Sequence, residues 1–179
     1  MEKTYDVAVI GGGPAGMMAA GRAAECGARV LLLEKNPRMG EKLLITGGGR
    51  CNITNAEFDV RALVAAYGSK GKALFGPFTR FGISETFDFF VSRDLKLKIE
   101  EENRVFPVSD KAADVWRVLV RYLSRGKVEV RTSSPVAGIR RRGNRVTGVV
   151  VRRECVVADE YIIATGGTSH PETGSTGEG

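Results

Sequence analysis

Cysteine is scarce in this chain, and Cys26, Cys51 and Cys155 stand far apart. No C-x-x-C occurs, which excludes a zinc knuckle or a dithiol redox pair of that kind. His170 is the single histidine and makes no triad; it reads as a surface-loop residue. No apolar run approaches the roughly 20 residues that span a bilayer. The opening "MEKTYDVAVIGGG" has no long apolar stretch of the secretory type and runs straight into a strand. Together with an odd cysteine count, this predicts a reducing, cytoplasmic setting and no membrane partner. No internal repeat and no clean linker interrupt the chain, and no residue stands out as a general acid or base.

What is present is an ordinary globular composition, 42% hydrophobic and 27% charged over 179 residues. That is enough for one domain with a real core. The net charge of +6 permits anionic partners without demanding them. Its densest stretch, "IRRRGNRV" (139–146), lacks interleaved aromatics for base stacking and reads as a solvated hairpin tip, so nucleic acid is not the expected partner. Trp116, Leu119 and Leu123 recur at helical spacing and read as core.

The pattern predicts an α/β chain. "YDVAVI" (5–10) and "ARVLLLE" (28–34) read as buried parallel strands. Between them lies an alanine-rich helix with Pro14 in its first turn and Gly27 as its left-handed stop. Residues 35–56 read as loop and 57–95 as short helices. "LKLKIEEENRVFPV" reads as a hairpin turning near Glu102–Asn103. A helix follows, with Asp110 as N-cap and Gly126 as stop. A strand "KVEVRT", a hairpin turning at Gly143–Asn144 and a strand "EYIIATGG" complete it.

Gly11, Gly13 and Gly16 form a G-x-G-x-x-G set between the first strand and its helix. Gly11 permits the turn, Gly13 lets a pyrophosphate approach the backbone, and Gly16 lets the helix pack closely. Helix-start amides then face the anion. Glu34, 18 residues past Gly16, ends the second strand, where an acid accepts hydrogen bonds from an adenosine ribose. Its charge disfavours a 2′-phosphate, hence NADP, at this site. The motif alone leaves NAD or FAD open. A simple NAD domain continues strand, helix, strand. This chain breaks off after Glu34 into a second glycine run, "ITGGGRCNITN" (45–55), and returns much later with a hairpin and "ATGG". That interrupted layout suits a two-part FAD site.

Taken together, "GGGPAG", "LLLEKN", "GEKLLITGGGRCNITN", "RVFPVSDKAADV" and "ATGGTSHPETGSTGEG" resemble the NAD(P)/FAD-dependent oxidoreductases of the BaiN/RdsA type. These are also called YhiN-like or aminoacetone-oxidase-family flavoproteins. The resemblance implies a glutathione-reductase-like FAD-binding fold: a Rossmann-like parallel sheet with a β-hairpin layer. It implies that Gly11, Gly13, Pro14, Ala15 and Gly16 hold the FAD pyrophosphate and that Glu34, with Lys35, holds the adenosine end. Lys42 and the loop containing Thr46, Gly47, Gly48, Arg50, Cys51 and Asn52 would line the pyrophosphate and flavin side. Val136 would hold the adenine through its backbone, and Thr165 and Gly166 would form the strand-end turn beside the cofactor. Cys51 reads as a small packing residue, since no partner thiol is near in sequence. Arg50 is balanced between a phosphate contact and a solvated loop cation.

Family members are longer, and Glu178 stands where they usually carry aspartate. The expectation is therefore one FAD-binding domain over residues 1–179, incomplete at its C-terminal end and without its substrate domain. Electrons would come from NAD(P)H or a small organic substrate. The alternatives are a flavin-dependent tRNA-modifying protein or a non-catalytic FAD-binding fragment.

Overall fold

A computed structural model describes residues 5–173 and Gly177. The chain divides into two compact units, Met1–Leu43 with Leu119–Gly179, and Leu44–Val118. The first begins with β1 (Tyr5–Ile10), α1 (Pro14–Glu25) and β2 (Val30–Leu33). A short helix α2 (Glu41–Ile45) leads into the second, which holds β3 (Thr54–Asn55), α3 (Val60–Ala66), α4 (Phe75–Arg80), α5 (Ile83–Val91), β4 (Leu97–Glu100) and β5 (Arg104–Pro107). The helix α6 (Ala112–Arg125) carries the chain back to β6 (Glu129–Arg131), β7 (Val136–Arg142), β8 (Arg145–Val151), β9 (Glu154–Val156) and β10 (Ala158–Ile163).

In the first unit β10, β1, β2 and β6 form a parallel sheet in that order. Its central strands are apolar throughout because both faces are covered: Ala8, Val9, Leu31 and Leu32 are fully buried. Alternation sends Ala8, Ile10, Leu31 and Leu33 to one face, where they pack with Val149, Val151 and Val156 of the antiparallel layer β7–β8–β9. α1 contacts β1, β2 and β10. Gly21 of α1 lies under the Tyr122 ring of α6, where a Cβ would collide. The register pairs Ile10 with both Leu33 and Ile163, so three strands end level at one carboxyl edge. In open α/β sheets that edge is where ligands bind.

The second unit is built on a separate antiparallel sheet in the order β3, β5, β4. The predicted hairpin is β4–β5, and Glu102 and Asn103 turn it with φ of 59° and 57°.

The parallel sheet with its hairpin layer agrees with the α/β expectation. Three local expectations differ. The stretch 35–56 contains α2 and β3 and is not all loop. β9, a three-residue strand, extends the second hairpin. Asp110 does not cap α6: it sits at φ 52°, and its carboxylate accepts from Arg50 and Lys98 instead. The "TGSTGEG" signature falls largely on Gly174, Ser175, Thr176, Glu178 and Gly179, which lie outside the described residues.

Candidate functional site

A cleft of about 470 Å³ opens at the carboxyl edge of the parallel sheet. Gly11, Gly13, Pro14 and Ala15 line it from the β1–α1 turn, and Glu34, Lys35 and Asn36 from the end of β2. Lys42 reaches it from α2, Val136 from the start of β7, and Thr165 and Gly166 from the turn after β10. Every one of these except Asn36 is a residue the sequence singled out.

The β1–α1 turn explains its own glycines. Gly11 has φ 106°, a conformation open to glycine, and a Cβ there would strike the Ala164 carbonyl. Gly16 is not in the cleft wall; a Cβ on it would run into the Gly11 carbonyl, so it sets the approach of helix to strand. Gly13 is the N-cap of α1, offers no side chain to its amides, and would meet nothing within 4 Å if given a Cβ. No acidic residue occupies the first turn of α1. An uncapped helix start facing open space in a cleft fits an anion such as a pyrophosphate.

Glu34 is the polar centre of the cleft. Only 7% exposed, it accepts the Gly12 N–H on one carboxylate oxygen (2.6 Å) and the Asn36 N–H on the other (2.7 Å). A carboxylate has about four acceptor positions, so two remain after the backbone is satisfied. They fit the two hydroxyls of a ribose. Lys35 and Lys42 supply positive charge to the same cleft; the Lys42 ammonium donates to Ser169 Oγ at 3.2 Å. The residues present therefore fit the adenosine and pyrophosphate of a dinucleotide.

Thr46, Gly47, Gly48, Arg50, Cys51 and Asn52 belong to the second unit. There Gly47, Gly48 and Gly49 all have positive φ, of 60°, 67° and 84°, and Cys51 follows at 62°. Arg50 donates to Asp110 (2.8 Å) and Glu100 (2.5 Å) and stacks over the Phe106 ring at 4.1 Å. Its charge is compensated by these two carboxylates. Lys98 joins the same cluster through Asp110 and Glu100. Hydrogen bonds from Arg50, then Lys98, hold the Glu100 carboxyl below its ordinary range; Lys98, then Arg50, do so for Asp110. Cys51 is buried and unbonded to another cysteine, and burial pushes its thiol up to about 11. A protonated buried thiol is a packing group, not a nucleophile. With its amide turned so that the nitrogen faces them, Asn52 donates to the carbonyls of Thr54 (3.0 Å) and Val105 (3.3 Å). His170 is exposed and faces Glu172 at 2.9 Å.

Sequence reasoning passed over Gly12 and Asn36. Gly12 is needed for Glu34: a Cβ at Gly12 would lie 2.8 Å from the acid's Oε2 and 3.0 Å from its Cβ. The available signal was the buried acid itself, which demands donors. Ser134, also buried, donates its backbone N–H to the Glu34 carbonyl at 2.8 Å and fixes the start of β7 against the end of β2.

The family model described as "HI0933-like protein Rossmann domain" matches residues 5–179. The 3-dehydro-bile acid delta(4,6)-reductase of Clostridium scindens is 34% identical over 177 residues, covering 97% of this chain and 42% of that protein. The ribosomal RNA dihydrouridine synthase of Escherichia coli is 29% identical over 172 residues, covering 96% and 42%. Among solved structures, the 3-ketosteroid-delta4-(5alpha)-dehydrogenase of Rhodococcus jostii RHA1 superposes with a TM-score of 0.70 at 18% identity, over 92% of this chain and 46% of that one. The chain thus spans under half the length of these relatives. No helix of the described residues is long and apolar enough to cross a membrane. The chain belongs to the HI0933-like family of Rossmann domains.

Proposed function

We propose that this cleft holds the ADP half of FAD for an oxidoreductase that adds two hydrogens across an activated carbon–carbon double bond of a small organic substrate. The observation that carries the cofactor reading is Glu34, buried and oriented by two backbone N–H groups beside the uncapped start of α1. Glu34 would accept the ribose hydroxyls, the amide of Ala15 with Lys42 would meet the pyrophosphate, and the Val136 backbone would meet the adenine. When bound, the flavin supplies hydride transfer, while the chain binds and orients it. Two relatives support the bond type, one named a delta(4,6)-reductase and the other a dihydrouridine synthase. Reduced nicotinamide or a small organic substrate would supply the electrons. The setting is the cytoplasm. A visible spectrum of the purified chain tests the cofactor reading: flavin absorbance is expected, and a colourless protein that takes up no added FAD overturns it.

A second reading, flavin-dependent reduction of an RNA base, is favoured by one observation. Residues 136–156, the layer β7–β9, carry Arg140, Arg141, Arg142, Arg145, Arg152 and Arg153 against Glu154 alone. This concentration of charge suits a phosphate backbone, and the Escherichia coli relative is named for ribosomal RNA. Salt-dependent RNA binding that weakens when Arg140, Arg141 and Arg142 become Gln supports it; RNA affinity insensitive to salt removes it.

A further inference from the structure

Four segments of the first unit converge on Asn36, which no motif singles out. Its backbone N–H donates to Glu34 Oε1 at 2.7 Å, and its carbonyl accepts from the Ser133 N–H at 2.9 Å. Its side-chain amide donates to the Glu41 carboxylate at 3.2 Å and to the Thr173 carbonyl at 2.9 Å. Thr173 closes a short 3-10 turn, Pro171–Thr173, in the segment that follows β10, and it lines the cleft. Lys42 binds the same segment through Ser169. The segment after β10 is thus tied at two places, to the β2–α2 connection through Asn36 and to α2 through Lys42, and both of these residues line the cleft.

We propose that Asn36 is a positioning residue that latches the segment 166–173 as a wall of the cofactor cleft, and that its side chain sets the rate at which FAD leaves. The proposal rests on the reading of this cleft as the FAD site. The residue type follows from the partners. The Glu41 carboxylate and the Thr173 carbonyl both only accept, so the side chain between them must donate twice. Aspartate would place a third acceptor there. Glutamine keeps the two donors on a stem one methylene longer. The two main-chain bonds of Asn36 survive any of these substitutions, so Glu34 keeps its N–H donor. Loss of the amide removes two hydrogen bonds, one of them to a charged group. With about half of their combined contribution felt in the barrier to release, ligand leaves roughly tenfold faster.

The experiment compares the parent chain with N36A, N36D and N36Q in two measurements. Release of FAD is followed by flavin fluorescence after dilution of the loaded protein. Hydrogen exchange of the peptide covering 164–173 is followed in the apo protein. N36A is expected to speed release about tenfold while association changes little, N36D to speed it further, and N36Q to recover part of the loss. Exchange in 164–173 should rise in N36A and N36D while β1 and β2 keep the parent's protection. Unchanged release together with unchanged exchange overturns the latch. If the parent takes up no FAD, the cofactor reading falls, and with it the claim about release. The exchange arm then still decides whether Asn36 holds the segment.

Discussion

Glu34→Gln preserves shape and removes one acceptor from a site where two are already in use. The carboxylate receives Gly12 N–H and Asn36 N–H on separate oxygens, at 2.6 and 2.7 Å. A glutamine side chain has one oxygen and one NH2. Whichever way the amide turns, one backbone N–H faces another donor. A hydrogen bond to a charged group contributes about 1.5–3 kcal/mol, and a buried donor left without a partner costs about 1–3 kcal/mol. Glu34 borders an open cleft from which water can partly relieve the orphaned N–H, so about 2 kcal/mol is the working figure. For a chain of this length that lowers the melting temperature by about 4–8 °C. The effect belongs to the apo protein and is read by a thermal melt without cofactor. The ribose contact is separate: the amide presents a donor where one hydroxyl expects an acceptor, which should weaken FAD by roughly ten- to a hundredfold. An E34Q apo chain that melts with the parent refutes the argument that the backbone saturates this acid. A lowered melting temperature with unchanged FAD affinity refutes the ribose assignment and leaves Glu34 a purely structural residue.

Gly12→Ala perturbs the same acid from the other side, because its Cβ would stand 2.8 Å from Glu34 Oε2. A double-mutant cycle with E34Q, read by thermal melts, should show the two losses to be non-additive, and simple additivity would count against a shared cause. The Cys51 thiol is raised by burial to about 11 from an ordinary 9.0, so the native state holds this proton where the unfolded chain gives it up. Stability from this group is complete below pH 9 and falls by up to about 2–3 kcal/mol as pH rises to 11, a decline Cys51→Ala should lack in denaturant titrations. In native protein at pH 8, mass spectrometry should find Cys26, which is exposed, alkylated well before Cys51. Arg50→Met should flatten the acid limb of stability. Glu100 and Asp110 are held below the usual carboxylate range, so their contribution is present at neutral pH and lost as pH falls through the lowered values. Melts at pH 7 and pH 3 should differ less in R50M than in the parent, and an equal difference would remove Arg50 from the cluster's energetics.

The β1–α1–β2 unit was legible because each of its signals is local. A run of apolar residues covered on both faces, a proline at the first helical position and a glycine stop need no distant partner to be read. Gly27 indeed ends α1 at φ 91°. The place of Glu34 at the cleft was legible for the same reason: its spacing from the glycines is a property of one strand–helix–strand unit. What sequence missed depended on contacts between residues far apart. Asp110 looks like an N-cap, the commonest role for aspartate before a helix. Its carboxylate is instead held by Arg50, 60 positions earlier, and by Lys98. Asn36 looks like a turn residue, and its side chain is engaged by Thr173, 137 positions later. α2 and β9, of five and three residues, are too short to show a period at all.

The two glycine runs now separate on physical grounds. In the first, only Gly11 needs left-handed backbone; Gly12 is small so that Glu34 can reach its N–H, and Gly13 leaves space empty at a helix start. Three glycines answer three different demands, and each faces the cleft or the acid within it. In the second, Gly47, Gly48 and Gly49 are left-handed in succession, a path that would cost ordinary L-residues about 1–2 kcal/mol each. Such a reversal holds its shape only if something anchors it. Arg50 does so through two carboxylates and an aromatic face, while the Gly49 carbonyl accepts the Ala112 N–H at 2.8 Å. The arginine that looked like a phosphate ligand already has anions of its own. Recruiting it to a cofactor would mean exchanging two short charged hydrogen bonds for new ones, with no net gain in pairing and with the loop's anchor lost. Lys35 and Lys42 line the cleft of the first unit, while Arg50 is held by Glu100 and Asp110 within the second.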